Sequence, residues 1–375
     1  MKFSEISGLE EIKQTLVQAV QKEHIAHAQL FLGKEGSGHL AMALAFATYV
    51  NCTNKQGNDS CGECASCRKF AKLVHPDLHF IVPTATTSKV TKRTDATTER
   101  FLPEWREFLL ENPYADVKQW GDAFGAENKQ CIIPKEESKT VIRSLSLKAF
   151  EAEYKVMLIW LPELMHDAAA NALLKILEEP PTKTLFLLVS NKGDAILPTI
   201  LSRTQIIQVR KFSDQEITDY LVKREIPQEQ ATHAAYLADG DLNEALKICT
   251  EVDNESEEAF QEWMRACFRA DFTGMVKQCE VFNKLGREAQ KGLFMYGLNM
   301  FRESLIWIYS GNDLVRLEGK QMDFVQNFSK VLHEDNLPML AELLNDAIYH
   351  IERNANPKIT FLNLSIKIAR IFRMP

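Results

Sequence analysis

Five short apolar runs alternate with amphipathic stretches over the first 210 residues of the chain. Nearly continuous apolar runs are typical of strands that are buried on both faces of a parallel sheet. The predicted strands cover residues 29–32, 78–82, 155–159, 185–190 and 206–209. Apolar residues at helical spacing predict helices over residues 8–22, 40–47, 139–150 and 168–177. This alternation predicts an α/β fold in which helices flank both faces of a parallel sheet.

A helical pattern replaces the alternation after residue 211. Ser213 and Glu216 have the spacing of a capping box, which predicts the start of a helix. Residues 213–250 have the pattern of a small helical unit, and residues 256–372 repeat apolar and aromatic positions at helical spacing. We therefore predict three domains, which cover residues 1–211, 212–252 and 253–375.

The segment from Gly33 to Leu40 has the glycine frame of a phosphate-binding loop and lies between a predicted strand and a predicted helix. In a working loop the last glycine is followed by Lys, which reaches the phosphates, and then by Ser or Thr, which ligates Mg²⁺. After Gly38 this chain has His39 and Leu40 instead. We therefore predict a degenerate loop and no bound ATP.

A second feature of an ATPase, the acidic residues after a central strand, is reduced at the end of the strand over residues 155–159. An ATPase places acidic residues there, which hold Mg²⁺ and orient the attacking water. This chain has Trp160, Leu161, Pro162 and Glu163. Since Glu163 is the one carboxylate left, the sequence predicts that this chain does not hydrolyse ATP alone.

Four of the eight cysteines crowd into residues 52–67 as Cys52, Cys61, Cys64 and Cys67. Such a cluster in a reducing compartment favours a metal site over disulfides. Four thiolates can close a tetrahedral structural Zn²⁺ site and leave no position for a catalytic water. An iron–sulfur cluster is the alternative, but in ferredoxin runs the fourth cysteine lies downstream and precedes a proline.

Residues 84–130 form a predicted insertion that is rich in Thr, basic residues and aromatic residues. Basic and aromatic side chains together can bind single-stranded nucleic acid. The acidic residues interleaved with them favour instead an insertion that packs its aromatic side chains on its own domain.

Length and charge set broader limits. A chain of 375 residues with a formal charge of −7 is expected to be multidomain and not a freestanding nucleic-acid binder. The N-terminus lacks the apolar core of a signal peptide, and no apolar run is long enough to span a membrane. These features predict a cytoplasmic protein.

Two further motifs complete a pattern that resembles a known family. The string from Asn171 to Pro181 reads N-A-L-L-K-I-L-E-E-P-P, and the triplet Ser202-Arg203-Thr204 follows it. With the degenerate loop and the four cysteines, these motifs resemble the bacterial clamp-loader subunits of the AAA+ class. Among them the delta-prime group of DNA polymerase III is the most similar. In that family the two helical regions predicted above are a lid domain and a collar domain.

The resemblance implies a role in DNA replication without catalysis by this chain itself. Delta-prime subunits join the motor subunits (gamma/tau) and delta in a ring that loads a sliding clamp on primed DNA. They present the arginine of a Ser-Arg-Cys motif to a neighbour's ATP site, which corresponds to Arg203 beside Ser202, with Thr204 in place of Cys. A family arginine that senses nucleotide corresponds to Asn243. Polymerase activity would belong to the whole holoenzyme.

Two other classes of function stay open at this stage. The chain could be an active AAA+ motor, which His39, Leu40, Trp160 and Asn243 disfavour. It could also be an autonomous zinc-containing nucleic-acid-binding protein, which the net acidity disfavours.

Overall fold

The computed structural model describes residues 1–126, 129–146, 149–251, 254–311, 319–332, 336–353 and 355–373. The chain forms two compact units, Met1–Leu246 and Lys247–Pro375. The three domain boundaries expected from the sequence stay predictions.

A five-stranded sheet forms the centre of the first unit, with the strand order β2-β3-β4-β1-β5 and parallel pairing throughout. The strands are β1 Ala28–Leu32, β2 Leu78–Ile81, β3 Lys155–Trp160, β4 Thr184–Ser190 and β5 Gln205–Gln208. All five predicted strands are present, with ends within a residue or two of the prediction. The α/β fold with a parallel sheet is confirmed.

Eleven α-helices begin among the described residues of the first unit. They are α1 Glu10–Gln21, α2 His39–Val50, α3 Ala65–Ala71, α4 Leu102–Glu111, α5 Val117–Ala123, α6 Glu137–Ser146, α7 Asp167–Glu178, α8 Pro198–Leu201, α9 Asp214–Val222, α10 Gln228–Leu237 and α11 Leu242–Glu251. The predicted capping box is confirmed at α9, because Ser213 Oγ accepts from Glu216 N at 3.2 Å and Glu216 Oε2 accepts from Ser213 N at 2.8 Å.

Helices cover both faces of the sheet, as the side-chain alternation of β1 shows. Phe31 contacts Phe46 of α2, with ring centroids 6.3 Å apart. Its neighbour Leu30 points to the other face and belongs to the apolar cluster that contains Leu173 of α7. Both faces of each central strand are therefore buried, which explains why their sequences are apolar without alternation.

The predicted helix over residues 139–150 is wrong at its end, since α6 stops at Ser146. Residues 147 and 148 lie outside the described residues. Beyond them, the carboxylate of Asp77 accepts from the backbone N–H groups of Phe150, Glu151 and Ala152 at 2.6 to 2.9 Å. Those N–H groups are satisfied by a side chain and not by a helical ladder.

The insertion packs its aromatic side chains on its own unit, as predicted. Trp105 and Trp120 are completely buried, and their ring centroids lie 5.1 Å apart. Trp105 also contacts Trp160 at the end of β3, at 5.0 Å. Trp120 Nε1 donates to the carbonyl of Pro83 at 2.7 Å. These rings are therefore core residues and are not exposed for base stacking.

The second unit is helical in its described part, as predicted. Its helices are α12 Asn254–Arg269, α13 Phe272–Lys284, α14 Arg287–Ser310, α15 Gly319–Phe328, α16 Asn336–Glu352 and α17 Pro357–Ile371. Trp263, Phe282 and Phe361 stack in its core, with centroids 4.4 to 4.6 Å from Phe361. In the described part of the chain, no helix combines the length and apolar character needed to cross a membrane.

Candidate functional site

The glycine loop connects β1 to α2. Other segments of the chain pack so closely on it that Gly36 and Gly38 leave no room for a side chain. Gly36 and Gly38 have φ angles of 69° and 78°, which favour glycine. A Cβ at Gly38 would lie 2.7 Å from the ring of Phe212, and one at Gly36 would overlap the carboxyl of Asp241. The carbonyl of Gly36 accepts from Leu242 N at 3.2 Å. Residues of the 212–246 region therefore lie directly on the loop.

His39 occupies the lysine position of the loop and is satisfied by its own neighbours. Its Nε2 donates to Asn191 Oδ1 at 2.8 Å, so Nδ1 accepts from the Ser37 hydroxyl at 3.1 Å. Burial lowers the pKa of His39 to about 4, against an ordinary value of 6.5. The imidazole is therefore neutral at pH 7. The next residue, Leu40, is buried with 3% exposure and offers no metal ligand.

Glu163, the remaining carboxylate after β3, is also engaged within the chain. Its Oε1 accepts from the backbone N–H of Asn191 at 2.9 Å, and burial raises its pKa. Asn191 Nδ2 in turn donates to Glu35 Oε1 at 3.2 Å. Asn191 thus binds His39, Glu163 and Glu35 at the same time.

Asn191 is a residue that the sequence reasoning missed. It follows β4 directly, and the carboxyl ends of parallel strands meet at one edge of the sheet. A polar residue directly after a buried strand is the signal that could have identified it.

Asn243, the predicted counterpart of the sensor arginine, is buried and binds the insertion. Its Nδ2 donates to Gln119 Oε1 at 2.8 Å, and its Oδ1 accepts from Asn112 Nδ2 at 2.9 Å. The asparagine therefore supports contact with α5 and its N-terminal turn.

A cavity of about 10 Å³ remains above the loop. Its wall includes Gly36, His39, Tyr114, Trp160 and Asn191. Such a volume is on the order of one water molecule, whereas small-molecule sites commonly measure about 300–1,000 Å³. The space directly above the loop is therefore much smaller than a small-molecule site.

The four cysteines of the predicted metal site come together. Their Sγ atoms all lie within 4.8 Å of one another. The Cys52–Cys61 and Cys61–Cys67 sulfur distances are 3.6 and 3.9 Å. Tetrahedral Zn²⁺ with Zn–S bonds of about 2.3 Å would place sulfurs ~3.8 Å apart. The cluster can therefore bind a metal ion, and its spacing fits zinc.

Backbone N–H groups add to this fit. The N–H of Cys61 lies 3.3 Å from Cys52 Sγ, and that of Cys64 lies 3.3 Å from Cys61 Sγ. Donors directed at sulfur favour the thiolate form, which is the form that ligates metals.

The loop that contains the four cysteines, residues 52–67, is called the cysteine loop, and it also contacts the first residues of the chain. Asp59, between Cys52 and Cys61, accepts from the N–H groups of Phe3 at 3.0 Å and Ser4 at 2.9 Å. Phe3 is buried against Tyr49 of α2, with centroids 5.6 Å apart. The loop therefore connects the N-terminal segment to the helix that begins at the glycine loop.

Arg203 differs from these buried groups. Its side chain is 34% exposed, and its Nη2 lies 2.5 Å from Oε1 of Glu178, which is 49% exposed. Its Nη1 donates to the carbonyl of Thr199 at 2.8 Å and lies 3.2 Å from Ser202 Oγ. The sequence reasoning missed Glu178 as its partner, although this glutamate belongs to the L-E-E-P-P string.

Arg203 and the glycine loop lie at opposite edges of the sheet. Arg203 precedes β5, whose first residue Gln205 pairs with Gln29 of β1, whereas the loop follows Leu32 at the far end of β1. Three residues of strand span about 10 Å. The arginine therefore does not face the loop of its own chain.

Comparison with known proteins agrees with this architecture. The family model described as DNA polymerase III, delta subunit, matches residues 8–213. DNA polymerase III subunit delta' of Bacillus subtilis (strain 168) is 26% identical over 63% of this chain and 58% of its own length. The subunit delta' of Yersinia pestis is 31% identical over 47% of this chain and 39% of its own length. DNA polymerase III subunit tau of Bacillus subtilis (strain 168) is 25% identical over 66% of this chain and 37% of its own length.

Fold and site together define an α/β protein with a phosphate-loop architecture whose loop residues are engaged within the chain. The chain belongs to the DNA polymerase III delta subunit family. The predicted resemblance to delta-prime clamp-loader subunits is confirmed. The matched segments span about half of the two delta' relatives or less.

Proposed function

We propose that this chain is a non-ATPase subunit of a bacterial clamp loader. It assembles with gamma/tau-type motor subunits and delta, and it supplies Arg203 to the ATP site of a neighbouring subunit. The complex then loads a sliding clamp on primed DNA. The observation that carries this proposal is the position of Arg203, which is partly exposed and lies at the edge of the sheet opposite its own glycine loop.

The state of the loop supports the absence of ATP hydrolysis. Phosphoryl transfer depends on positive charge around the transferred phosphate, from Lys, Mg²⁺ and Arg. This chain has a neutral His39 and a buried Leu40 at the loop, and Glu163 is bound to Asn191. An active AAA+ motor is therefore the weaker alternative.

The surroundings of Arg203 support donation to a partner. A guanidinium is always charged and presents several N–H donors in a plane, which suits a phosphate. Its pairing with Glu178 is largely exposed, and such pairs contribute about 0–1 kcal/mol. A partner's phosphates can therefore replace Glu178 at low cost.

The four-cysteine cluster supports a structural role for zinc. Zinc would be held by Cys52, Cys61, Cys64 and Cys67, and it would supply four bonds that fix the loop around Asp59. A site closed by four protein sulfurs has no open position for catalysis. The metal thus stabilises the N-terminal part of the first unit and takes no part in phosphate chemistry.

Substitution of Arg203 in the reconstituted loader tests the proposal. We expect Arg203→Ala to lower ATP turnover on the order of 10³-fold at the neighbouring site that it completes, because arginine fingers contribute about 10³–10⁵ in rate. Single-turnover hydrolysis with clamp and primed DNA measures this. Arg100→Ala, an exposed arginine of the same unit, is the matched control. A wild-type rate for Arg203→Ala in an intact complex refutes the finger assignment.

A further inference from the structure

Residues 112–119 of the insertion lie between the glycine loop and the helical region 212–246. The segment precedes and begins α5, and we call it the bridging segment. Its residues Pro113, Tyr114 and Ala115 form one wall of the small cavity above the loop. Chain atoms therefore occupy the space beside the loop that a nucleotide would need.

Tyr114 makes the apolar contacts of the bridging segment. It is 4% exposed, and its ring contacts Phe212 at 6.0 Å and Tyr220 of α9 at 5.5 Å, both edge to face. A Cβ placed on Gly38 would lie 3.5 Å from the same ring. One side chain thus touches the loop and the start of the helical region.

Polar contacts join the same segment to α11. Asn112 and Gln119, at its two ends, both bind the side chain of Asn243, at 2.9 and 2.8 Å. Gln119 Oε1 also accepts from Asp116 N at 3.0 Å, which completes the capping box of α5. The amide of Asn243 is 3% exposed, so loss of these partners would leave buried polar groups unsatisfied.

We propose that the bridging segment takes the place of a nucleotide in this chain. It fills the space above the loop, and it holds α9 and α11 in a fixed position on the sheet without any ligand. The inference rests on the proposed absence of ATP binding. It adds a role for the insertion, which fixes the helical region 212–246 beside the glycine loop.

Hydrogen exchange on the full chain tests whether the segment holds the helices. We expect Tyr114→Ala to accelerate amide exchange in α9 and α11 by about tenfold or more, while β3 and β4 keep their rates relative to the wild type. Tyr49→Ala is the matched control, since Tyr49 is an equally buried tyrosine that contacts Phe3. Equal acceleration of α9 and α11 by both variants, or none by Tyr114→Ala, overturns the inference.

A second experiment tests the exclusion of nucleotide. The double variant His39→Lys, Leu40→Thr restores the residue types of a working loop, and MgADP is the probe. We expect no binding by this variant, and binding once Tyr114→Ala is added. Binding by the double variant alone overturns exclusion by the segment, and so does absence of binding by the triple variant. MgATP hydrolysis by the unaltered chain would refute the proposed function, whereas MgADP binding by the double variant without any hydrolysis by the unaltered chain refutes the exclusion alone, so the two failures are distinguishable.

Discussion

The carboxyl edge of the parallel sheet, where its strands end, and the amino edge, where they begin, differ in how their polar residues are bound. At the carboxyl edge, Asn191 binds His39 through its side chain and Glu163 through its backbone N–H. At the amino edge, Arg203 is partly exposed and pairs with an exposed Glu178. The first set is buried and bound within the chain, whereas the second is partly accessible.

This difference distinguishes polar residues that stabilise the fold from polar residues that remain accessible to a ligand. Buried polar groups that hydrogen-bond each other stabilise one conformation. An exposed ion pair contributes little to folding, so its presence needs another explanation. Under the proposed function, Arg203 is retained because it binds a phosphate on a partner subunit.

Loss of the metal is expected to have the largest effect on stability, because the cysteine loop supports the helix that starts at the carboxyl edge. We expect one zinc per chain, and we expect Cys61→Ser to lose it and to melt at a much lower temperature. Structural zinc binds to small peptides with free energies on the order of 10 kcal/mol. Metal analysis and thermal unfolding measure both effects.

Cys249→Ser is the matched control, because Cys249 lies far along the chain from the four clustered cysteines. It should keep one zinc. Iron in place of zinc in the wild-type chain, or full stability without any metal, contradicts the structural zinc site.

Acidification is the next test, since it acts on the buried imidazole of the carboxyl edge. The pKa of His39 is lowered by burial to about 4, so between pH 6.5 and 4 the unfolded chain binds a proton that the folded chain does not. The contribution of the neutral His39 to the free energy of unfolding is therefore fully present above pH 6.5 and is lost as the pH falls toward 4. The shift corresponds to about 3 kcal/mol.

Chemical denaturation of the wild type and His39→Gln across this pH range measures the loss. The variant cannot titrate at residue 39, and its stability should fall less by about that amount. His75 and His79, whose pKa values are also lowered by burial, titrate in both chains and cancel. Parallel pH profiles for the two chains would contradict a buried neutral His39.

A pair of single substitutions sharpens the comparison with smaller effects. Asn191→Ala removes the side-chain partner of His39 and Glu35 at the carboxyl edge and should cost about 1–3 kcal/mol. Glu178→Ala breaks an exposed pair at the amino edge and should cost less than about 1 kcal/mol. Urea unfolding measures both. A larger loss for Glu178→Ala would show that Arg203 has mainly a structural role.

The sheet could be predicted from the sequence because its strands are apolar on both faces, as at Leu185–Ser190. The four cysteines could also be predicted as one cluster, since short spacing brings them together. The helices α4 and α5 were not predicted, because their mixed charge hides the apolar side that contains Trp105 and Trp120. The role of Asn191 was also missed, because it depends on contacts to His39 that are 152 residues apart.

The insertion shows the same limit of prediction from the sequence. Its aromatic residues could be assigned to packing, but sequence patterns do not show where a segment packs. Only the fold brings Tyr114 to the glycine loop and Gln119 to Asn243. Long-range contacts of this kind decide the state of the site.

The central claim is that the glycine loop of this chain binds no nucleotide while its arginine serves a partner. Titration of the purified, zinc-loaded chain with MgATP tests the first half most directly, by calorimetry and with a hydrolysis assay in parallel. The account predicts no saturable binding up to millimolar MgATP and no turnover. Micromolar affinity with hydrolysis by the chain alone would contradict it.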